Sequence, residues 1–324
     1  MGRLASFDRL YALSFPDKNT APGRLSLMAD VLWERLFHGT EIQDYFQYEF
    51  YKLKGRERRR YMTFSKLRYT MKAANDPAKR AVFDNKALFN RTFADYVNRE
   101  WLDAEDAGDG DAAAFLKKHP SYFAKAKAGM FGKNAGKRTW QPENRDEALK
   151  KEIAWLRENG CIAEELIAQH PALARFNPDS VNTLRVVTLR PKDGEPRVMA
   201  AVLRIGRKGK TADNFHHYGI ASTVDVETGT VNSPGIDREF KRYLYHPDSG
   251  EEIIGFRVPS WDKVTALVKK AALVVPEVRY VGWDVAIDDR GEVQLIEGNY
   301  GADPDVTQMP CREGKWPAFE ALLK

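Results

Sequence analysis

The feature that most narrows the fold is a pair of apolar runs near the end of the chain, "YVGWDVAID" from Tyr280 and "EVQLIEGN" from Glu292, joined through "DDRG". So short a break, carrying Asp and Gly, makes the two runs an antiparallel hairpin. Asp284 and Glu297 stand thirteen residues apart in it, and Asn299 follows two further on. Across a short turn such positions can lie opposite one another, and residues i and i+2 share a face. Three hard oxygen donors gathered this way suit Mg²⁺, which keeps several waters and takes the rest of its shell from phosphates. The same carboxylates also read as edge charges of an exposed strand. Beyond them, Asp303, Asp305 and Gln308 either touch an acceptor or cap the following turn.

A magnesium site of this kind implies a nucleotide, and phosphate ligands are found upstream. "FAKAKAGMFGKNAGKRTW" places Lys125 and Lys127 on a short strand, then Gly129, Gly132 and Gly136 in a Lys-rich loop. Glycine lets backbone N–H groups approach phosphate oxygens, and lysine supplies a point charge. The loop is neither a GxxxxGK[ST] nor a GxGxxG motif, and it also reads as a basic surface turn. Between loop and hairpin lies "GCIAEELIAQHP", where Glu164 and Glu165 interrupt an apolar strand. Such a stretch can offer backbone groups to a purine and a carboxylate to a ribose.

At 324 residues and 43% hydrophobic, the chain has material for about two compact units. Residues 1–80 read as a basic, aromatic-rich helical segment, 81–165 as a mixed helix and strand unit with the glycine loop, and 166–324 as a β-rich unit with long strands at "VNTLRVVTLR" and "RVMAAVLRIG". Helix "WDKVTALVKKAALVV" sets Val264, Leu267, Val268 and Ala271 on one face. The net charge of +5 is mild, yet Lys52 to Lys72 holds nine Lys/Arg against one acid, Glu57. This is a patch for an anionic partner or else a solvated helix face. Cys161 and Cys311 form no CxxC or Cys/His cluster, so reduced thiols are expected. No run approaches the roughly 18 apolar residues of a membrane span, and charges interrupt the first fifteen residues, so a cytoplasmic location is expected.

In order along the chain, "DNK" at Asp84–Lys86, "FAKAKAGMFGKNAG", "AEELIAQHPAL", "SVNTLRVVTLR", "AVLRIG" with "DNFHHYGI", "GWDVAI" and "LIEGN" resemble the ATP-grasp superfamily, and within it the sugar-transfer-associated branch. The resemblance runs from about residue 84 to 308 and implies an α+β, ATP-grasp fold in which two subdomains clamp ATP. It implies that Lys86 and Lys125 meet the ATP phosphates under the loop Gly129 to Gly132, and that Glu164, Glu165, Leu166 and Ile167 form the strand that reads adenine. It further implies that Asp284, Glu297 and Asn299 hold Mg²⁺, that Arg185 and Arg204 face the phosphate or substrate side, and that Asn214 lines the same pocket. The N-terminal α/β domain of better-known members is not recognisable; the basic helical segment takes its place, which leaves the acceptor open. "KP" at the phosphate strand is Lys125-Ala126 here.

The implied activity is an ATP- and Mg²⁺-dependent ligase that turns a carboxylate into an acylphosphate and joins it to an amine, on a glycan, peptide or small-molecule acceptor of cell-surface biosynthesis. A kinase transferring phosphate to a hydroxyl is the alternative. A non-catalytic binder of glycan or nucleic acid at the basic patch has little need of the three oxygen ligands. His216 and His217 read as turn residues or as lining the acceptor pocket, and His170 reads as structural.

Overall fold

The computed structural model describes residues 3–17, 19, 21–128, 136–140, 145–210, 212–215 and 218–324, with backbone alone at 3, 4 and 145. Two antiparallel sheets organise it. The smaller has strands β1 (Trp101–Asp103), β2 (Ser121–Ala126), β3 (Gly136–Thr139) and β4 (Cys161–Glu165) in the order β1-β4-β2-β3. The larger has β5 (Leu184–Leu189), β6 (Arg197–Ile205), β7 (Ile220–Val224), β8 (Gly235–Ile236), β9 (Arg242–Tyr243), β10 (Tyr280–Ile287) and β11 (Val293–Asn299) in the order β11-β10-β5-β6-β7-β8-β9.

Alternation decides what each face meets. On the small sheet Tyr122, Ala124, Cys161 and Ala163 point one way, into a core with Ala112 and Leu116 of helix Asp109–Lys118 and Leu149, Ile153 and Leu156 of helix Arg145–Glu158. The alternate residues Lys125 and Glu164 are thereby left on the opposite face. On the large sheet Leu184, Val186, Leu203, Trp283, Val285 and Leu295 enter another core. Helix Trp261–Ala271 seals it with Val264, Leu267, Val268 and Ala271, the face its spacing predicts, and Phe83, Phe89 and Phe93 close the end near β11.

The N-terminal segment is helical, with helices Arg3–Ser14, Arg24–His38, Ile42–Gln47, Gly55–Arg59 and Phe64–Ala74. These helices form a second layer on the other face of the large sheet, a placement that the helical pattern of residues 1–80 does not itself give. Met62, Leu67 and Ala74 pack with Val187, Leu189, Ala200 and Tyr280. Phe7, Leu27, Val31 and Phe46 pack with Val202, Ala221 and Ile236. Asn75 bolts the layers together: its amide donates to the Tyr280 and Tyr300 carbonyls and accepts from Tyr280 N–H, all at 2.8 Å.

The hairpin between β10 and β11 forms as its sequence predicts. Asp288 Oδ1 accepts from Arg290 N at 3.0 Å and Glu292 N at 2.8 Å, and Gly291 takes φ +78°, which a residue without Cβ adopts at little cost. Both cysteines are free thiols. Among the described residues no helix is long and apolar enough to cross a membrane.

Candidate active site

Asp284 lies directly across from Glu297, and Gly282 across from Asn299. This depends on one extra residue. From Ile287 to Val285 the pairs run in simple register, ending with Leu295 opposite Val285; the register then shifts, and Ile296 is left without a partner in the ladder. In an unshifted ladder Glu297 would face Trp283 and point into the apolar core; the bulge turns Glu297 and Asn299 onto the face of Asp284. Gly298 then meets the core in the place of a larger residue, since a Cβ there would come within 2.9 Å of both Phe83 and Phe89.

Two arginines from neighbouring strands converge on this pair. Arg185 of β5 forks onto Asp284, from Nε to Oδ1 and from Nη2 to Oδ2 at 3.0 Å; Arg204 of β6 donates from Nη2 to Oδ2 at 2.8 Å. Burial works to raise the Asp284 carboxyl, but Arg185 and Arg204 outweigh it and pull it down to about 2. Glu297 moves the other way. Its burial and the nearby charge of Asp284 raise its carboxyl, against the pull of Lys86, Lys125 and Arg185. A buried carboxylate pair of which only one member is gripped by arginine is a strong attractor for a further cation. Asn299 donates its amide N–H to Gly282 O at 3.3 Å, leaving its oxygen as the hard donor beside the pair. Two carboxylates and an amide oxygen fit Mg²⁺ by chemistry and number; among the described residues no group of three or more His, Cys, Asp or Glu competes as a metal site.

Sequence reasoning missed the residues that aim this cluster. Thr183 Oγ1 accepts from Arg204 Nε at 3.0 Å and Nη2 at 2.7 Å, while its own N–H and O–H donate to Asp213 Oδ2 at 2.8 and 2.5 Å. Asp213 immediately precedes Asn214 in "DNFHHYG" and lies 3.7 Å from Arg204, a tie that the motif alone does not announce. Asn214 accepts through its carbonyl from Gly219 N at 3.1 Å. Gly129, Gly132, His216 and His217 lie outside the described residues.

On the small sheet, Lys125 and Glu164 pair at 2.6 Å. Glu164 also accepts from Arg99 Nη2 at 2.7 Å and Asn90 Nδ2 at 3.0 Å. Burial would raise the Glu164 carboxyl, yet Arg99 and Lys125 hold it well below the usual carboxylate range. Lys86 opens helix Lys86–Thr92 and donates its backbone N–H to Lys127 O at 2.9 Å, which sets its charge near Glu297. Lys127 is turned elsewhere: its ammonium meets Asp103 at 3.1 Å and Glu105, so it belongs to a separate acidic pair.

Glu165 is bonded to the small sheet through Glu100, and Ala168 and His170 are bonded to the end of β10, through Asp289 N and Ile287 O. In this stretch Leu166 and Ile167 thus span from one sheet to the other. Arg99 adds a second tie by donating to Leu295 O at 2.6 Å while holding Glu164. His170 caps helix Pro171–Ala174 by accepting from Ala172 N at 3.2 Å, as a structural residue should.

A family model for sugar-transfer associated ATP-grasp proteins matches residues 153–322, a stretch holding β4 through β11 and with them Glu164, Arg185, Arg204, Asp284, Glu297 and Asn299. The chain belongs to this ATP-grasp family. Lys86 and Lys125 stand outside the matched stretch. No curated protein sequence matches the chain. Among solved structures the ATP-grasp chain is similar to the ligase PsnB complexed with minimal precursor, at 15% identity and a TM-score of 0.45, covering 77% of this chain and 63% of that one. It is also similar to biotin carboxylase from Campylobacter jejuni, at 12% identity and 0.46, covering 75% and 46%. The D-alanyl-alanine synthetase A of Vibrio cholerae stands at 14% and 0.45, covering 77% and 66%. The chain therefore spans less than two thirds of the length of PsnB.

Proposed function

We propose that this chain is an ATP- and Mg²⁺-dependent ligase that activates a carboxylate as an acylphosphate and joins it to an amine. The observation that carries the reading is the buried pair Asp284 and Glu297, with Asn299 on the same face and Lys86, Lys125, Arg185 and Arg204 around it. Phosphoryl transfer asks the protein for positioning and charge neutralisation rather than covalent chemistry. In this reading Asp284, Glu297 and Asn299 would hold Mg²⁺, which would supply positive charge to offset that of the phosphates. Lys86 and Lys125 steady the phosphates from the side of the small sheet. Arg185 and Arg204, already oriented by Asp284 and Thr183, present cationic edges where charge develops. Leu166 and Ile167, with Glu164 and Glu165 before them, supply the backbone that meets adenine.

The acceptor carboxylate oxygen attacks the γ-phosphorus and ADP leaves; the amine nitrogen then attacks the acyl carbon, loses a proton, and phosphate leaves. Both reacting groups belong to substrates. Their place is supported by a cleft of about 470 Å³ between the N-terminal segment and the turn after β11, lined by Arg9, Arg35, Asp44, Gln47, Asp303 and Asp305. Ala302 crosses so close to Gly282 that a Cβ there would meet it at 2.3 Å, and the charge of Asp303 acts on Arg185, so the cleft borders the metal-bearing face. Gln308 is a fixture of this wall and reaches no acceptor: it accepts from Met62 N at 2.9 Å and Lys315 N at 3.0 Å and donates to Met62 O at 3.0 Å.

The test is ADP release over a panel of carboxylates and amines, with hydroxylamine added. Trapping of a hydroxamate with release of free phosphate supports the ligase. Phosphate retained on a hydroxyl of the acceptor replaces it with the kinase reading, and no ADP with any acceptor sinks both.

A further inference from the structure

Helix Arg24–His38 is amphipathic in the wrong sense for a soluble surface. Its acids face other chain segments: Asp30 is held by Arg58 at 2.9 and 2.8 Å, and Glu34 by Arg58 at 3.1 Å and by Arg59. Leu27 and Val31 fill the core. The large apolar residues that remain point outward, Leu25 84% exposed, Leu36 69%, Phe37 61%, Trp33 56% and Leu32 55%. Leu25, Leu32 and Leu36 fall along one line of the helix at i, i+7 and i+11, and Trp33 and Phe37 along the adjoining line with ring centroids 4.0 Å apart. Five such side chains in one stripe exceed the scattered exposure normal for a soluble surface.

The neighbouring surface is basic. The end of this helix abuts helix Phe64–Ala74, where Ser65 donates to Gly39 O, Arg68 reaches Glu41 at 3.7 Å, and Phe64 and Tyr69 are again exposed. Arg58 and Arg59 fasten helix Gly55–Arg59 to it. Of the nearby cations, Lys54, Arg56, Arg60 and Lys72 are exposed and make no ion pair among the described residues. A stripe of Leu, Trp and Phe bordered by Lys and Arg, on a helix too polar to span, is the composition of a helix that lies in a lipid–water interface.

We propose that helix Arg24–His38 seats the protein on an anionic membrane surface, with Leu25, Leu32, Trp33, Leu36 and Phe37 inserted at the headgroup boundary and the cations around Lys54 to Lys72 against lipid phosphates. Charge complementarity selects this occupant: a second copy would bring an equally basic border against this one. The seat lies on the N-terminal layer that also lines the 470 Å³ cleft, through Arg35 of the same helix.

The experiment is flotation of the full chain with phosphatidylcholine vesicles with and without phosphatidylglycerol. Binding is expected to the anionic vesicles, to weaken steeply with salt, and to fall at least about tenfold in Trp33→Ser/Phe37→Ser and in Arg56→Glu/Arg60→Glu. Both variants change exposed side chains, and an unchanged thermal melt verifies folding. The proposal is overturned if the parent chain floats with neither vesicle, or if both variants float as it does. A parent dimer that Trp33→Ser/Phe37→Ser renders monomeric, without vesicle binding, overturns it in favour of a self-interface, and binding to another protein without vesicle binding overturns it in favour of a protein dock.

Discussion

Asp284 and Glu297 face each other across β10 and β11, and the arginines grip only one of them: Arg185 and Arg204 both bond to Asp284, while Glu297 is left with a raised carboxyl beside it. The pair is thus electrostatically unequal before any ligand arrives.

That inequality predicts opposite effects on stability from similar substitutions. Asp284→Asn strands two buried guanidinium groups and should cost about 3–5 kcal/mol, whereas Glu297→Gln relieves a repulsion and should leave the melting temperature unchanged or higher. Both should lower ADP formation by roughly 10²–10³. Thermal melts beside an ADP assay check this, and equal destabilisation by the two would contradict the assignment.

Glu164 predicts the acid limb of the stability curve. Its folded carboxyl is held below the unfolded value by Arg99 and Lys125 against the cost of burial, so its contribution is fully present above about pH 4.3 and is lost as pH falls toward the folded value. Glu164→Gln should cost about 3–5 kcal/mol at neutral pH, and its deficit against the parent should shrink as urea melts are taken to lower pH. A deficit constant with pH would show that Glu164 is not ionised in the fold.

Gly298→Ala should act on the site through the core. The new methyl meets Phe83 and Phe89 at 2.9 Å, and moving two packed rings should cost roughly 1–3 kcal/mol. Because Glu297 and Asn299 flank the position, Mg²⁺ dependence should also shift, with half-activation at a higher concentration. A stable variant with unaltered Mg²⁺ titration would mean that the strand yields elsewhere.

Gln308→Ala should separate binding from chemistry. It leaves Met62 N–H and Lys315 N–H without an acceptor, each worth roughly 1–3 kcal/mol when buried. The N-terminal layer should loosen against the turn after β11, raising the acceptor KM while the KM for ATP holds. A rise in both alike would place Gln308 in general stability alone.

Much of this architecture was legible because its signals are local. The period of the helix at Val264 to Ala271, the hairpin turn at Asp288 to Gly291, and the strands carrying Arg185 and Arg204 all announce themselves within a few residues. Strands β8 and β9, two residues each, are too short to show a period. Arg99 was invisible for another reason: its partners Glu164 and Leu295 lie 65 and 196 residues away, and nothing around it marks an arginine destined for burial. Lys127 shares a parity with Lys125, but the strand ends between them, and the local acids Asp103 and Glu105 capture its ammonium. The helical character of the first eighty residues was readable; the sheet face they cover was not, because contacts such as Asn75 with Tyr280 bridge 205 positions.

The bulge at Ile296 gives the spacing of the metal motif a meaning of its own. Around this turn an unshifted ladder would set Asp284 opposite Ile296, twelve residues on, so an interval of thirteen records one surplus residue in the returning strand. The count is therefore a geometric message: in any chain with the same turn, thirteen spells a bent hairpin with both carboxylates turned to the same side, and twelve would bring them together by a flat one. What is inherited in such a motif is a length as much as a set of side chains: a deletion at 296 would keep the two carboxylates opposed only by removing the bulge and the bend that comes with it.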